Sequence, residues 1–368
     1  MPLYNYPLSF FCIYLAMLAV PIMATSIFIR KSTDQGKIQY IEGLRGFACI
    51  AVFINHSAYA IGDMLIKTKN IDYSNFYLFS QSGALGVQIF FCITGFLFSS
   101  KILSNNKIDF TSFYAKRIKR LVPLYLFTAT LISVIYFSQM LGKLDLPLFV
   151  TQLLKIFGFG FFGTELYWGA HRDATLNIVL WTLPYEWKFY ASIPFLATAL
   201  YTKKFKYMVI AFGCFVLIND FYEDKVLWSY FVAGALCAKI KEINIEKTSL
   251  RAVIYIVFAF LFYMSFYFDV KQYSFYRFIM ISLMFASCVV LKPRLLSIPS
   301  IAFLGEISYS IYLLHQPVLH VFYRIASKFV NLSETNTTQL IIYSVICLSI
   351  TILASAFTYK HIECRFNK

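Results

Sequence analysis

The sequence is poor in charge. Asp, Glu, Lys and Arg make up 14% of its 368 residues, where a soluble protein carries about 25%. Hydrophobic residues fill 59%, too much for the surface of a water-soluble chain of this size. No stretch is biased toward Gly, Ser or Pro, and no internal repeat is visible. Disorder and collagen-like structure are thereby excluded, and no segment has the composition of a separate soluble catalytic domain. The eight Cys include no C-x-x-C, and seven lie in apolar runs. They read as small hydrophobes packed between helices, not as a disulfide framework or a metal site. A P-loop and a G-x-G-x-x-G are also missing, so a nucleotide-binding fold of the usual soluble kinds is not expected.

What the sequence has instead is a series of apolar runs of about 20 residues, each long enough to cross a bilayer as a helix. They lack the strict alternation of barrel strands. The expected fold is therefore all-α: a polytopic transmembrane helical bundle of about eleven spans, near 8–29, 43–65, 78–100, 121–141, 178–200, 205–219, 226–240, 251–268, 275–291, 301–323 and 337–358. The connection at 142–177 is long and partly apolar, and reads as interfacial or re-entrant. A net charge of +15 comes from 33 Lys and Arg against 18 Asp and Glu. In this context it indicates positive-inside loops and anionic membrane lipids, with no nucleic acid as partner. With residue 1 outside, the cytoplasmic loops hold 22 of the 33 Lys and Arg, which supports an outer N-terminus and a cytoplasmic C-terminus. The run at 8–29 has its cations, Arg30 and Lys31, after it and none before it. It reads as a retained helix rather than a cleaved signal. Usage rich in Phe, Ile and Lys, with no organelle signal, points to a bacterial inner membrane.

Any chemistry must then be built between helices, where an ionisable side chain is costly and marks a functional candidate. Within the span, IEGLRGFACIAVFINH at 41–56 contributes two, Arg45 and His56. An offset of eleven residues puts Arg45 and His56 on one helical face, roughly 16 Å apart along the axis. Two readings stand at this point: a functional pair, or an anchoring Arg and a His bonded to a neighbouring helix. Glu186 is a third intramembrane group, and its offset of two from Lys188 places the two on different faces. Arg117 and Arg120 open another span together with Lys116 and Lys119, and Arg is suited to bidentate phosphate contacts. His315 and His320 share a span, but an offset of five separates their faces, so no metal site is expected. His361 lies in the tail and His171 in the outer connection.

Five segments, in order, resemble the motifs of the acyltransferase 3 family of integral-membrane acyltransferases. They are LRGFA…H from Leu44 to His56, GVQIFFCITGFLFSS at 86–100, FYAKRIKRLVPLY at 113–125, LWTLPYEWKFY at 180–190 and FLGEISYSIYLLHQPV at 303–318. The sequence departs from the family pattern at Glu42 (usually Asp), Gln88 (commonly acidic), Thr94 (commonly Ser) and Cys364 (commonly Pro). The resemblance implies ten core spans in a membrane acyltransferase domain at 41–368, so residues 1–40 would add one helix and a cytoplasmic link.

The resemblance also implies O-acyl, usually O-acetyl, transfer from cytoplasmic acetyl-CoA to a hydroxyl of a carbohydrate, such as a surface polysaccharide, lipopolysaccharide O-antigen or its lipid-linked precursor. His56 is the candidate base, because histidine has the pKa nearest neutrality. Arg45 and Glu186 join it as candidate catalytic groups. Arg117 and Arg120, with Arg45, are the candidate CoA-binding cations, while Ser308, Tyr309, Tyr312 and His315 are candidate substrate contacts. Two alternatives stay open on the residues alone: a transporter or flippase of a lipid-linked glycan, or an acyltransferase with a lipid, peptide or small-metabolite acceptor.

Overall fold

The computed structural model describes residues 38–66, 77–104, 109–140, 146–168, 171–173, 176–201, 205–223, 226–267, 271–332 and 337–366. Ala19 is the sole described position of the span expected at 8–29, the rest of which lies outside these residues. The chain folds as a helical bundle. Its first half contains α1 (Gln39–Ile66), α2 (Tyr77–Leu103), α3 (Phe110–Gln139), α4 (Leu146–Phe157), α5 (Leu183–Tyr201) and α6 (Lys206–Tyr222). The second half contains α7 (Ser229–Cys237), α8 (Thr248–Tyr267), α9 (Phe275–Leu291), α10 (Pro299–Glu306), α11 (Ser308–Ala326) and α12 (Thr337–Thr358). One antiparallel pair, β1 (Leu166–Trp168) and β2 (His171–Asp173), lies between α4 and α5.

Four described helices are long and apolar enough to cross a membrane: Leu78–Leu103, Phe110–Gln139, Thr248–Phe266 and Ile341–Phe366. They occupy opposite places in the bundle. In α2, 78% of the apolar stretch is buried inside the protein, and in α8 only 11% is. The span read at 301–323 is two helices, broken at Ile307, whose N–H closes back onto the Phe303 carbonyl. The span read at 226–240 holds only the nine-residue α7, which runs into turns after Cys237.

Small residues set the closest approaches. A Cβ on Gly95 of α2 would lie 2.0 Å from the Phe231 carbonyl oxygen of α7, and one on Gly234 of α7 would lie 1.9 Å from the Cys92 carbonyl oxygen. The two backbones therefore touch, as small residues allow between membrane helices. Aromatic rings fill the space around this contact: Phe231 stacks on Phe91 and Phe189, with centroids 4.5 Å apart in both pairs.

The connection at 142–177 does not cross the bundle. Its helix α4 has 12 residues, about 18 Å at 1.5 Å per residue. The segment is pinned to α3. Tyr125 Oη donates to the Ile156 carbonyl at 2.7 Å and accepts from the Phe159 amide at 2.8 Å. The Tyr125 ring stacks on Phe159 at 3.7 Å. The Tyr136 hydroxyl bonds the Tyr167 carbonyl in β1.

Candidate active site

The segment carrying Lys116, Arg117, Lys119 and Arg120 lies at the start of α3. Asp109 caps that helix by accepting from the Thr111 amide at 3.0 Å. Two and three turns later Arg117 and Arg120 turn inward, where they meet residues of α1, α2, α5 and α11 around a cavity of about 520 Å³. Seven of the nine residues singled out from the sequence line it: Arg45, Arg117, Arg120, Glu186, Ser308, Tyr309 and Tyr312. Lys101 and Lys241 line it as well, so five cations face two carboxylates, Glu42 and Glu186. Such a concave basic site concentrates anions, and Arg forks match phosphate oxygens.

The polar groups here are only partly satisfied. Arg45 pairs with Glu42 one turn back, at 3.3 Å. Glu186 accepts from Tyr190, one turn further along α5, and not from Lys188, whose ammonium lies 5.9 Å over the Tyr185 ring. Tyr190 also flanks Arg117, whose guanidinium carbon stands 5.1, 6.0 and 5.9 Å from the ring centroids of Phe98, Phe113 and Tyr190. Three buried polar atoms of the lining lack a hydrogen-bond partner: Arg117 Nε, Ser100 Oγ and Ser308 Oγ. A buried donor left unmade costs about 1–3 kcal/mol, so such atoms mark where a ligand or water belongs.

The two tyrosines of the SYSIY segment are already engaged. Tyr309 Oη donates to the Leu121 carbonyl at 2.9 Å. Tyr312 Oη donates to the Val179 carbonyl at 2.7 Å and, with its one hydrogen so used, accepts from Thr182 Oγ1 at 2.6 Å. Of the three hydroxyl-bearing candidates in that segment, Ser308 is the one whose oxygen has no partner.

His56 and His315 do not line this cavity. They meet each other, with His56 Nδ1 2.8 Å from His315 Nε2 and the rings stacked at 5.0 Å. Tyr312 joins the two regions: it lines the cavity, and its ring packs against His315 with centroids 6.1 Å apart. His320, on the same helix as His315, instead reaches Gln139 at 3.4 Å. Among the described residues, no group of three or more His, Cys, Asp or Glu could hold a metal ion.

Sequence reading passed over four residues of consequence. Tyr190 was findable, because it stands four residues after Glu186 on the same face. Arg277 was findable too, as a lone cation near the start of an apolar span. It is 2% exposed, and bonds Gln88 Oε1 at 3.1 Å, the Ser265 carbonyl at 2.8 Å, the Gln81 carbonyl at 2.9 Å and the Gln81 side chain. Glu363, buried in the tail and bonded to Ser310, had no local signal. Neither did Lys241, which joins the cavity from a turn distant in sequence.

Residues 38–359 match the family model described as an acyltransferase domain. A putative acetyltransferase, ORF330 of Acidianus two-tailed virus, is 27% identical over 75% of this chain and 81% of its own length. The putative peptidoglycan O-acetyltransferase YrhL of Bacillus subtilis is 25% identical over 78% of this chain. The O-acetyltransferase OatA of Staphylococcus aureus is 24% identical over 89% of this chain. The chain spans 50% of the length of YrhL and 57% of that of OatA. No solved structure matches it.

Proposed function

This chain belongs to the acyltransferase 3 family of membrane acyltransferases, and from that premise we propose that it is an O-acetyltransferase acting on a carbohydrate hydroxyl with acetyl-CoA as donor. The observation that carries the reading is the basic cavity, with five cations around it and Arg117 Nε, Ser100 Oγ and Ser308 Oγ left unpartnered. A polyanionic, polar-ended donor suits such a lining. The cavity opens to the cytoplasm, with the N-terminus outside and the C-terminus inside. The catalytic unit is the domain at 41–368.

In this reading Arg117 and Arg120 hold phosphates of the donor, and Arg45, pinned by Glu42, flanks its arm. Glu186, held by Tyr190, bonds polar groups of the substrates, and Ser308 bonds the donor arm. The thioester passes Tyr312 to reach His56. Its imidazole takes the proton of the acceptor hydroxyl, a role that contributes typically 10²–10⁴-fold in rate. The acceptor is a cell-surface polysaccharide, such as lipopolysaccharide O-antigen or its lipid-linked precursor, in a bacterial inner membrane. The name of OatA supports O-acetylation, and that of YrhL, a putative peptidoglycan O-acetyltransferase, supports a glycan acceptor.

The test uses full-length protein in lipid nanodiscs, supplied with labelled acetyl-CoA and a lipid-linked oligosaccharide acceptor. Wild-type protein transfers label to the acceptor, and His56→Ala loses at least roughly 100-fold in kcat while still being protected by the donor against heat. Full transfer by His56→Ala would sink the role of that imidazole. Transport of the glycan without thioester cleavage would replace the enzyme by a flippase.

A further inference from the structure

The two imidazoles form a directed chain. His315 Nδ1 lies 2.9 Å from the Ile311 carbonyl oxygen. A carbonyl only accepts, so this nitrogen carries a hydrogen. In a neutral ring the other nitrogen, Nε2, then holds a lone pair. That lone pair is 2.8 Å from His56 Nδ1, so His56 must donate from Nδ1. The remaining nitrogen of His56, Nε2, is left unprotonated. His315 is 1% exposed. Its ring packs against Phe53 at 6.2 Å and Tyr312 at 6.1 Å.

We infer that His315 is a positioning residue: it fixes His56 in the tautomer whose Nε2 is the base, and it accepts the hydrogen bond from Nδ1–H when His56 becomes charged. The inference rests on the reading of His56 as the acyl-transfer base and adds the group that orients it. The acceptor oxygen attacks the thioester carbonyl carbon, and its proton passes to His56 Nε2. The carbon–sulfur bond breaks, and the same nitrogen returns the proton to the departing thiolate. His315 exchanges no proton in these steps. Its part resembles that of the third member of a catalytic triad, which holds an imidazole in the productive tautomer. Here a neutral ring backed by a main-chain carbonyl takes the place of a carboxylate, as suits a site between membrane helices, where an isolated anion is costly.

The test has a kinetic arm and a spectroscopic arm, both on full-length protein in nanodiscs. His315→Phe fills the volume but cannot accept a hydrogen bond. It should lower kcat by roughly 100-fold, within the range of general-base effects, and leave the donor KM within about threefold. His315→Gln puts an amide oxygen near the former Nε2, and should recover kcat to within about tenfold of wild type. A wild-type kcat in His315→Phe, beside an inactive His56→Ala, would overturn the positioning role and leave His56 as base. A His315→Gln that folds and binds donor yet is as slow as His315→Phe would overturn it as well. The spectroscopic arm needs no activity. With 15N-labelled histidine, and His56→Ala to assign the signal, wild-type His56 should show a protonated Nδ1 and a bare Nε2. The opposite tautomer would overturn the inference whatever the acceptor proves to be.

Discussion

Arg277 and Arg117 both carry a guanidinium into the bundle, and they are held in opposite ways. Arg277 is buried and tied by Gln81, Gln88 and the carbonyls of Gln81 and Ser265, so that α9 is bound to α2 and α8 through one side chain. Arg117 lies among the rings of Phe98, Phe113 and Tyr190 beside an open cavity, with its Nε unpartnered. Satisfied hydrogen bonds are the mark of scaffold, because an unsatisfied buried acceptor costs about 1–3 kcal/mol. A cation held among aromatic rings, with a donor to spare, is prepared for something that is not part of the chain. A charge within an apolar helix therefore does not announce its role until its partners are counted.

The largest way to break this comparison is at Arg277. Arg277→Met should destabilise the protein by about 3 kcal/mol, since it orphans several buried acceptors at once. Thermal unfolding in detergent measures it, and a melting temperature equal to wild type would remove Arg277 from the scaffold. Arg117→Leu should do the reverse. Its stability should stay within about 1 kcal/mol of wild type, and the donor KM should rise at least about tenfold, the worth of roughly one charge-assisted hydrogen bond. Arg117→Lys, which keeps charge and loses the fork, should fall between. The smallest effect is expected at Ser308. Ser308→Ala removes a hydroxyl that bonds nothing in the protein. Stability should change by less than about 0.5 kcal/mol, and the donor KM should rise roughly threefold, as for one neutral hydrogen bond.

The legibility of the site followed the same division. Arg45, Arg117, Arg120, Glu186, Ser308, Tyr309 and Tyr312 stood out because each is polar in an apolar context or falls in a motif, and all seven reach one cavity. Helical spacing put Arg45 and His56 on one face, and both do lie on α1, but only Arg45 lines the cavity. Spacing along one helix says nothing of what faces it. His56 lies against α11, where His315 waits 259 positions away in sequence. Tyr309 and Tyr312 read as candidate substrate contacts in the sequence, and main-chain carbonyls of other elements hold the hydroxyls of both. The span at 301–323 reads as continuous because Glu306 and Ser308 interrupt its apolar run only briefly and Ile307 itself carries no mark of a break. The break there shows only in the backbone, where α10 ends and α11 begins.

The sequence by itself determined an all-helical membrane bundle and the residue types able to do acyl-transfer chemistry. Both follow from local facts: an apolar run long enough to span, and a charge too costly to be there without use. Which apolar helix lies at the centre was decided only by tertiary structure, as α2 and α8 show, since both are apolar along their length and neither carries its own position. The same holds for the pairing of His56 with His315 and for the difference between Arg277 and Arg117. Hydrogen bonds and ring contacts act over a few ångströms, and only the packed bundle brings residues hundreds of positions apart within that range.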